Sequence, residues 1–233
     1  HQIILVSSGA IGMGVGKLNL PCRPTDMPGK QAAAAVGQCE LMYTYDRLFG
    51  QYNHTVAQML LTWEDFDHEQ RRRNLQNTLE RLLQLRAIPI INENDPVACE
   101  EYSLGDNDTL AALVATCIHA DLVVLLSDID GLYSEDPHKN PEAEFIGLVE
   151  EITPELIGMG GGSGSDVGTG GMAAKLAAAR IATDSGSDMI ICNADDVDVI
   201  HELMEGEEKG TLFLAHPNRD FDLMDYINTK YEI

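Results

Sequence analysis

The amino-acid sequence predicts an α/β domain with a mostly parallel sheet, and two observations support that prediction. The first is a set of short apolar runs that are nearly continuous rather than alternating, as in strands buried on both faces of a parallel sheet. The second is that helical stretches separate these runs, which implies right-handed crossover connections. The predicted strands are residues 3–6, 88–91, 122–126 and 189–192, with a more mixed candidate at 55–61.

Helices are predicted between the strands from the positions of alanine and leucine. Residues 30–52 and 172–183 are rich in alanine, which favours helix formation and close packing. Two further segments each place their apolar residues on one helical face. These residues are Leu75, Leu79, Leu82 and Leu83 in the first segment, and Leu110, Leu113, Val114, Cys117 and Ile118 in the second.

Length and charge limit the functions open to this chain. Its 233 residues, 44% of them hydrophobic, suffice for one substantial core or at most two small ones. A net charge of −23 argues against binding to nucleic acid and against an anionic membrane surface. Five widely spaced cysteines without a C-x-x-C pair favour a reducing cytoplasm over a disulfide framework. No signal peptide is visible, and no apolar run approaches the roughly 20 residues of a membrane span.

Small polar side chains follow three of the predicted strands, where α/β sheets bind their ligands. Ser7 and Ser8 follow the first run, residues 92–95 follow the second, and Ser127 and Asp128 follow the third. Because the carboxyl ends of parallel strands meet at one edge, we expect these groups to lie along a single edge of the sheet.

The run from Gly105 to Thr109 carries two carboxylates and a carboxamide at the predicted start of a helix, in Asp106, Asn107 and Asp108. Unpaired amide hydrogens and the positive end of the helix dipole lie at such a start. One polar side chain suffices to cap a helix. Three in a row therefore indicate a site that holds a polar ligand.

A glycine-rich segment over residues 158–171 leads into a predicted helix with Lys175 in its first turn. Glycine lets backbone amides approach a phosphate group, the helix start adds positive potential, and Lys175 adds a full charge. A flexible linker would have a similar composition, but the lysine favours the phosphate interpretation.

Two other motifs favour structural interpretations. Gly12, Gly14 and Gly16 follow a strand, but the third glycine is misplaced for a dinucleotide-binding turn. The three arginines at 71–73 could grip phosphate, yet at helical spacing beside Asp65, Asp67 and Glu69 they are typical of a solvated, salt-bridged face. The scattered histidines form no metal-ligand pattern, so no metal held by the protein alone is predicted.

Five motifs, taken together and in order, resemble the amino acid kinase family along residues 1 to about 214. Within that family they are similar to the members that phosphorylate the side-chain carboxylate of L-glutamate. Uridylate kinases, carbamate kinases and aspartokinases lack the paired NEND and GDND segments. The motifs are SSGAIGMG at 7–14, INENDPV at 91–97, GDNDTLAALVA at 105–115, LLSDIDGLYSEDP at 125–137 and GTGGMAAKLAAA at 168–179.

This resemblance implies a three-layer αβα sandwich around a central, mostly parallel sheet. It also implies ATP-dependent formation of γ-glutamyl phosphate, the first step of proline biosynthesis, with Mg²⁺ arriving on the nucleotide. Feedback inhibition by proline and a homo-oligomeric state are expected on the same ground.

The resemblance assigns the binding of glutamate to Ser8, Asp95 and Asn107. The Asp95 carboxylate would suit the α-ammonium group of the substrate. The amide of Asn107 and the hydroxyl of Ser8 would suit its carboxylates, which an all-acidic pocket would repel.

The resemblance also assigns the transfer centre. Lys175 would steady the transferring phosphoryl group, while Asp106 and Asp108 would organise the centre around it. The residues expected around the nucleotide are Ser127, Asp128, Thr169, Gly170, Gly171, Met172, Ala173, Ala174 and Lys175.

The sequence departs from the family at its start. Family members begin with a strand, a glycine loop and a helix that bear a lysine for the ATP phosphates, and this sequence has no counterpart of that unit. Residues 1–233 are therefore expected to form one N-terminally incomplete amino acid kinase domain, with little activity alone and without a C-terminal PUA domain. Two alternatives stay open: a non-catalytic nucleotide- or amino-acid-binding remnant, and a kinase of this fold that acts on aspartate, carbamate or UMP.

Overall fold

The computed structural model of the protein describes residues 1–98, 106–135, 137, 140, 142–160, 171–218, 220, 221 and 223. The chain divides into two compact units, His1–Leu110 (unit 1) and Ala111–Ile233 (unit 2). The helices are α1 (Ala10–Lys17), α2 (Met27–Gly50), α3 (Glu64–Asp67), α4 (Glu69–Gln84), α5 (Asn107–Ile118), α6 (Pro154–Gly160), α7 (Met172–Asp184) and α8 (Val199–Met204), with a short 3-10 helix at Asp95–Val97. The strands are β1 (Leu5–Val6), β2 (Thr55–Leu61), β3 (Ala87–Glu93), β4 (Leu122–Ser127), β5 (Leu132–Tyr133), β6 (Phe145–Ile146), β7 (Leu148–Val149), β8 (Asp188–Asn193) and β9 (Thr211–Phe213).

Unit 1 contains a three-stranded parallel sheet in the order β1-β3-β2. The central strand β3 pairs with both neighbours, Ile90 lying opposite Leu5 of β1 and opposite Gln58 of β2. Ile90 and Ile91 are buried, which explains why the sequence of β3 is continuously apolar. Strand β2 has a more mixed burial pattern, which explains its mixed sequence. The three strands predicted in this part of the chain are confirmed, although β1 is shorter than residues 3–6.

Helices α1 and α2 approach each other closely at two glycines. A Cβ atom added to Gly14 would lie 1.8 Å from the carbonyl oxygen of Ala33, and one added to Gly37 would lie 1.7 Å from that of Ala10. Neither distance is possible for a real carbon atom, so only glycine permits this approach. The glycines at 12, 14 and 16 lie inside α1 rather than in a nucleotide-binding turn.

The arginines of α4 form the solvated, salt-bridged face that the sequence predicts. Arg71 contacts Glu64 at 2.9 Å and Asp65 at 2.8 Å, while Arg73 pairs with Glu69 one helical turn away. Further along the same helix, Leu75 and Leu79 are buried.

Unit 2 contains a four-stranded sheet in the order β4-β8-β9-β7. Strands β4 and β8 are parallel, from Leu122 opposite Asp188 to Ser127 opposite Asn193. Strand β9 is antiparallel to β8 and parallel to β7. The predicted strands at 122–126 and 189–192 are confirmed, as is the mostly parallel character of the pairing. A separate antiparallel pair, β5 with β6, completes the strands of this unit that the structure describes.

Helix α7 follows the alanine-rich pattern of its sequence. Its small side chains are buried, with Ala178, Ala179 and Ala182 at 0% exposure. Within the described parts of the chain, no helix combines the length and the apolar composition needed to cross a membrane.

The close approach of α1 and α2 gives a test of the packing. Gly14→Ala is expected to lower the free energy of unfolding, because the methyl group would meet backbone rather than a flexible side chain. Overpacking of this kind costs about 1–3 kcal/mol, and contact with backbone places the effect near the upper end. Denaturant unfolding monitored by circular dichroism measures the change.

The matched control for this variant is Gly12→Ala in the same helix. A Cβ atom there meets nothing within 4 Å. Replacing a helical glycine with alanine at an open position is expected to stabilise the protein by roughly 0.5–1 kcal/mol. Equal effects of the two substitutions would contradict the packing described for α1 and α2.

Candidate functional site

The carboxyl ends of β1 and β3 lie side by side in unit 1. The backbone N–H of Ser7 donates to the carbonyl oxygen of Ile91 at 2.9 Å, so the parallel ladder continues one residue beyond β1. Ser8 follows as an exposed residue. Gly9 then turns the chain into α1 with a φ of 109°, a conformation that glycine adopts without strain. Ser8 is therefore held between the end of a strand and the start of a helix.

A buried carboxamide at the end of β3 connects three parts of unit 1. Asn92 is 5% exposed, and its Nδ2 donates to Oε1 of Gln38 in α2 at 3.0 Å. Its Oδ1 accepts from the backbone N–H of Glu93 at 2.9 Å and from Nδ2 of Asn107 at 3.2 Å. The predicted glutamate-binding residue Asn107 is thus tied directly to the end of the central strand.

The start of α5 separates the roles of the three polar residues predicted there. The Oδ1 of Asp106 accepts from the backbone N–H of Thr109 at 2.6 Å, which is the geometry of a helix cap. Asp106 therefore supplies the cap, and the half-buried Asn107 and Asp108 are the surplus that the sequence indicates. Gly105 lies outside the described residues.

Asp95 begins the short 3-10 helix two residues after β3 and is half-buried. Burial raises the pKa of its carboxyl group, and the charge of Arg23 only partly offsets that effect. A carboxylate kept partly from water and short of neutralising charge is suited to receive a cationic group.

Two buried polar atoms of unit 1 make no hydrogen bond among the described residues: Nε2 of Gln38 and Oγ1 of Thr109. An unpaired buried group of this kind costs roughly 1–3 kcal/mol. Both belong to residues beside the Asn92–Asn107 connection, so the uncompensated polarity of the unit is concentrated there.

In unit 2, the end of β4 carries Ser127 and Asp128. The hydroxyl of Ser127 donates to Oδ1 of Asp128 at 3.1 Å, and its carbonyl oxygen accepts from the backbone N–H of Ala194 at 2.8 Å. Asp128 is exposed. Nearby, Nδ2 of Asn193 donates to Oδ1 of Asp130 at 3.2 Å. The ends of β4 and β8 thus form one polar edge.

Helix α7 begins at Met172, with Gly171 as its N-cap. Glycine has no side chain to cap the helix, and a Cβ atom there would meet nothing within 4 Å. The backbone N–H of Ala174 donates to the Gly171 carbonyl at 2.9 Å, whereas those of Met172 and Ala173 precede the regular hydrogen bonds of the helix. Lys175, in that turn, is 7% exposed, and its backbone N–H donates to the Gly171 carbonyl at 3.3 Å.

A phosphate group fits the donor set at the start of α7, which combines backbone N–H groups, a helix dipole and a lysine. The rest of the predicted nucleotide loop, including Thr169 and Gly170, lies outside the described residues. Among the residues that are described, no group of three or more His, Cys, Asp or Glu side chains could hold a metal ion.

The predicted residues fall in both units. In unit 1, Asn107 bonds to the end of β3, Ser8 follows the neighbouring strand end and Asp95 lies two residues after β3, whereas Ser127, Asp128 and residues 171–175 belong to unit 2. The expectation of one edge for all three polar strand ends holds for β1 and β3. It does not extend to β4, which pairs within a different sheet.

Gln38 and Tyr45, which contact the ends of β3 and β1, were not predicted as site residues, and Asn92 was predicted only as one of the polar residues after the strand at 88–91. Tyr45 reaches Ser7, the two hydroxyl oxygens lying 2.7 Å apart. The sequence of α2 does carry a pattern that points to Gln38 and Tyr45. Its alanine-rich segment places Gln31, Gln38 and Tyr45 at intervals of seven residues, on one side of the helix.

Comparison with known proteins gives one family match and a set of close relatives. Residues 1–193 match the amino acid kinase family. The chain is 53% identical to the glutamate 5-kinase of Clostridium tetani over 215 residues, covering 92% of this chain and 80% of the relative. It is 49% identical to the glutamate 5-kinase of Listeria innocua over 218 residues, covering 92% and 79%.

Solved structures resemble this chain in fold. The isopentenyl phosphate kinase of T. acidophilum aligns with a TM-score of 0.59 at 16% identity, over 91% of this chain and 83% of that one. The UMP kinase of Bacillus anthracis aligns with a TM-score of 0.56 at 14% identity, over 91% and 95%. Together with the family match, these alignments confirm the predicted α/β sandwich class.

The raised pKa of Asp95 predicts a gain in stability on its removal. The folded protein takes up the proton at higher pH than the unfolded chain, so stability falls as pH rises through the raised pKa. Asp95→Asn is therefore expected to raise the thermal midpoint at pH 7. The gain should shrink toward pH 3, where the carboxyl group is protonated.

Differential scanning calorimetry at the two pH values measures this effect. Asp26→Asn is the matched control, because Asp26 caps α2 through the Gly29 N–H and asparagine caps equally well. A lower midpoint for Asp95→Asn than for the parent protein at pH 7 would show that the carboxylate stabilises the fold.

Proposed function

The chain belongs to the amino acid kinase family, and we propose that it transfers the γ-phosphoryl group of ATP to the side-chain carboxylate of L-glutamate. The product would be γ-glutamyl phosphate, which enters proline biosynthesis. Two relatives with about half their residues in common with this chain are named glutamate 5-kinase. The structural observation that carries the proposal is the hydrogen bond of Asn107 to Asn92 at the end of β3, where Ser7, the neighbour of Ser8, also bonds to β3 and from which the chain leads to Asp95.

The groups in unit 1 match the charges of glutamate. The half-buried Asp95, whose pKa is raised by burial, would receive the α-ammonium group and would be stabilised in its charged form by it. The Asn107 carboxamide and the Ser8 hydroxyl would bind carboxylate oxygens without adding negative charge to an already acidic chain. Asp106 would act indirectly, since its cap fixes where α5 begins and hence where Asn107 lies.

The reaction needs no general base. A glutamate side-chain carboxylate is already ionised near pH 7. One of its oxygens would attack the γ-phosphorus while the bond to the bridging oxygen of ADP breaks, and ADP would leave with that electron pair. Catalysis then depends on alignment and on neutralising the charge of the transferring group.

The start of α7 would bind the phosphates of ATP. Backbone N–H groups of Met172 and Ala173 would donate to phosphate oxygens, and Lys175 would neutralise the transferring group. Ser127 and Asp128 would lie beside the nucleotide, and Asp108 would help to organise the centre. Mg²⁺ bound with ATP would supply further neutralisation of the phosphates.

We infer that both units form one amino acid kinase domain, and the family match over residues 1–193, which runs through their boundary at residue 110, supports this. We also propose, on family resemblance, a homo-oligomeric state and inhibition by L-proline. Glutamate and proline share an α-carboxylate and an amino group, so they would compete for the same residues.

The proposed activity predicts ADP release that depends on glutamate. The full-length protein with ATP, Mg²⁺ and L-glutamate should release ADP well above the rate without glutamate in a coupled assay.

Inhibition by proline is tested in the same assay, where L-proline should raise the apparent KM for glutamate. Sedimentation of the same sample measures the oligomeric state.

L-aspartate, carbamate and UMP serve as alternative acceptors in that assay. Faster turnover with any of them would refute glutamate as the substrate. No acceptor-dependent release by a folded protein that still binds ATP would indicate a non-catalytic binding protein.

The role of Lys175 predicts a loss of turnover without loss of fold. Lys175→Met keeps the length of the side chain and its helix propensity but removes the charge from the transferring phosphoryl group. Turnover should fall about 10²- to 10³-fold, as for other single electrostatic contacts to a transition state. Steady-state kinetics and circular dichroism measure the two properties.

Arg180→Met on the same helix is the control. Arg180 is exposed and pairs with Asp184 at 3.6 Å, so its loss should change turnover less than twofold, roughly the effect expected for an exposed ion pair. Equal losses in the two variants would show that α7 tolerates no charge removal and that Lys175 has no special role.

A further inference from the structure

Helix α2 presents a row of polar side chains toward the ends of β1 and β3. Gln31, Gln38 and Tyr45 are spaced by seven residues, which is nearly two helical turns, so they lie on one stripe of the helix. We call these three residues the polar stripe. Its members lie in a helix that otherwise packs through alanine and glycine.

Each member of the polar stripe contacts a different segment near the proposed glutamate groups. Nε2 of Gln31 donates to the carbonyl oxygen of Ala98 at 3.3 Å. Oε1 of Gln38 accepts from Asn92 at 3.0 Å, and the Tyr45 hydroxyl lies 2.7 Å from that of Ser7. The stripe thus spans the carboxyl ends of β1 and β3 and the chain that follows β3.

The direction of the hydrogen bonds at Asn92 is fixed by the backbone. The N–H of Glu93 can only donate, so the atom of Asn92 that it meets is the carboxamide oxygen. Asn92 must then turn Nδ2 toward Gln38, and Asn107 must present Nδ2 to the same oxygen. This bond uses one hydrogen of the Asn107 Nδ2 group, and the second hydrogen is the donor that would bind a carboxylate oxygen of the substrate.

Gln38 restrains this arrangement at its buried end. Both Gln38 and Asn92 are more than nine-tenths buried, and Nε2 of Gln38 makes no hydrogen bond among the described residues. A glutamine that leaves one donor unpaired is a poor choice for stability alone. Its oxygen, however, is the acceptor that holds the Asn92 carboxamide in one orientation.

We propose that the polar stripe positions the glutamate-binding groups of unit 1. Gln38 acts through Asn92 on Asn107, and Tyr45 acts through Ser7 on the neighbouring Ser8. Neither side chain need touch the substrate, so both are positioning residues. The proposal rests on the proposed function, because it assumes that Asn107 and Ser8 bind glutamate.

The test compares the KM for glutamate with kcat and with the KM for ATP in the full-length protein. Gln38→Met keeps the volume and removes the acceptor, while Tyr45→Phe removes only the hydroxyl. Each should raise the KM for glutamate about 3- to 10-fold, the range expected for one lost neutral hydrogen bond. The KM for ATP and kcat should change less than twofold, about the scatter of such measurements.

Each variant has a control that makes the same chemical change elsewhere. Gln76→Met removes a glutamine whose bond to Glu80 stays within α4, and Tyr43→Phe alters an exposed tyrosine two residues from Tyr45. If Gln38→Met does not fold, Gln38→Asn serves instead, because its shorter side chain cannot reach Asn92.

The outcomes separate this proposal from the proposed function. A rise in the KM for glutamate in both variants, absent from both controls, supports the positioning role. A lower thermal midpoint with an unchanged KM in either variant would reduce the stripe to a structural feature and overturn the proposal. If the parent protein neither binds glutamate by calorimetry nor releases ADP with it, the proposed function itself fails, and this inference fails with it.

Discussion

The contact on which the architecture of unit 1 depends is the approach of the α1 backbone to the α2 backbone. Gly37 allows α2 to touch the carbonyl oxygen of Ala10, the first residue of α1. Gln38 is the next residue along α2, and Ser8 lies two residues before Ala10. One close helix contact therefore sets both how far α2 lies from the sheet and where the chain leaves β1. A bulkier side chain at position 37 would move the packing contact and the polar contacts together.

The same region concentrates features that oppose stability. Asp95 is partly desolvated, while Gln38 and Thr109 each bury a polar atom without a hydrogen-bond partner among the described residues. Elsewhere in unit 1 the buried side chains are mainly apolar, as in Phe66 and Leu79. Groups that lower stability tend to cluster at functional sites, because selection for binding tolerates their cost. Their position around the candidate binding residues agrees with that pattern.

The sequence predicted the features that follow from local chemistry. Continuous apolar runs identified β3, β4 and β8, since burial on both faces leaves no polar positions in a strand. The surplus of polar groups at 106–108 indicated a candidate site, and the structure shows that one of them, Asp106, is enough for the cap. The pairing of Gln38 with Asn92 joins residues 54 apart in sequence, and that of Ser7 with Tyr45 joins residues 38 apart. No local pattern encodes such contacts, and only the packing of α1 on α2 determines them.

The chemistry of the proposed substrate explains why carboxamides and hydroxyls dominate unit 1. Glutamate carries two carboxylates and one ammonium group, and a chain of net charge −23 already repels anions. Arginine or lysine in this position would bind the carboxylates but would also neutralise the nucleophile. Carboxamides instead orient the substrate through directed hydrogen bonds and leave the charge of the attacking oxygen intact. Each carboxamide has a donor end and an acceptor end, so it must be held in the correct orientation. The backbone N–H of Glu93 can only donate, which makes it a better anchor for the Asn92 carboxamide than another rotatable side chain. The orientation of Asn107 is thereby derived from the end of β3.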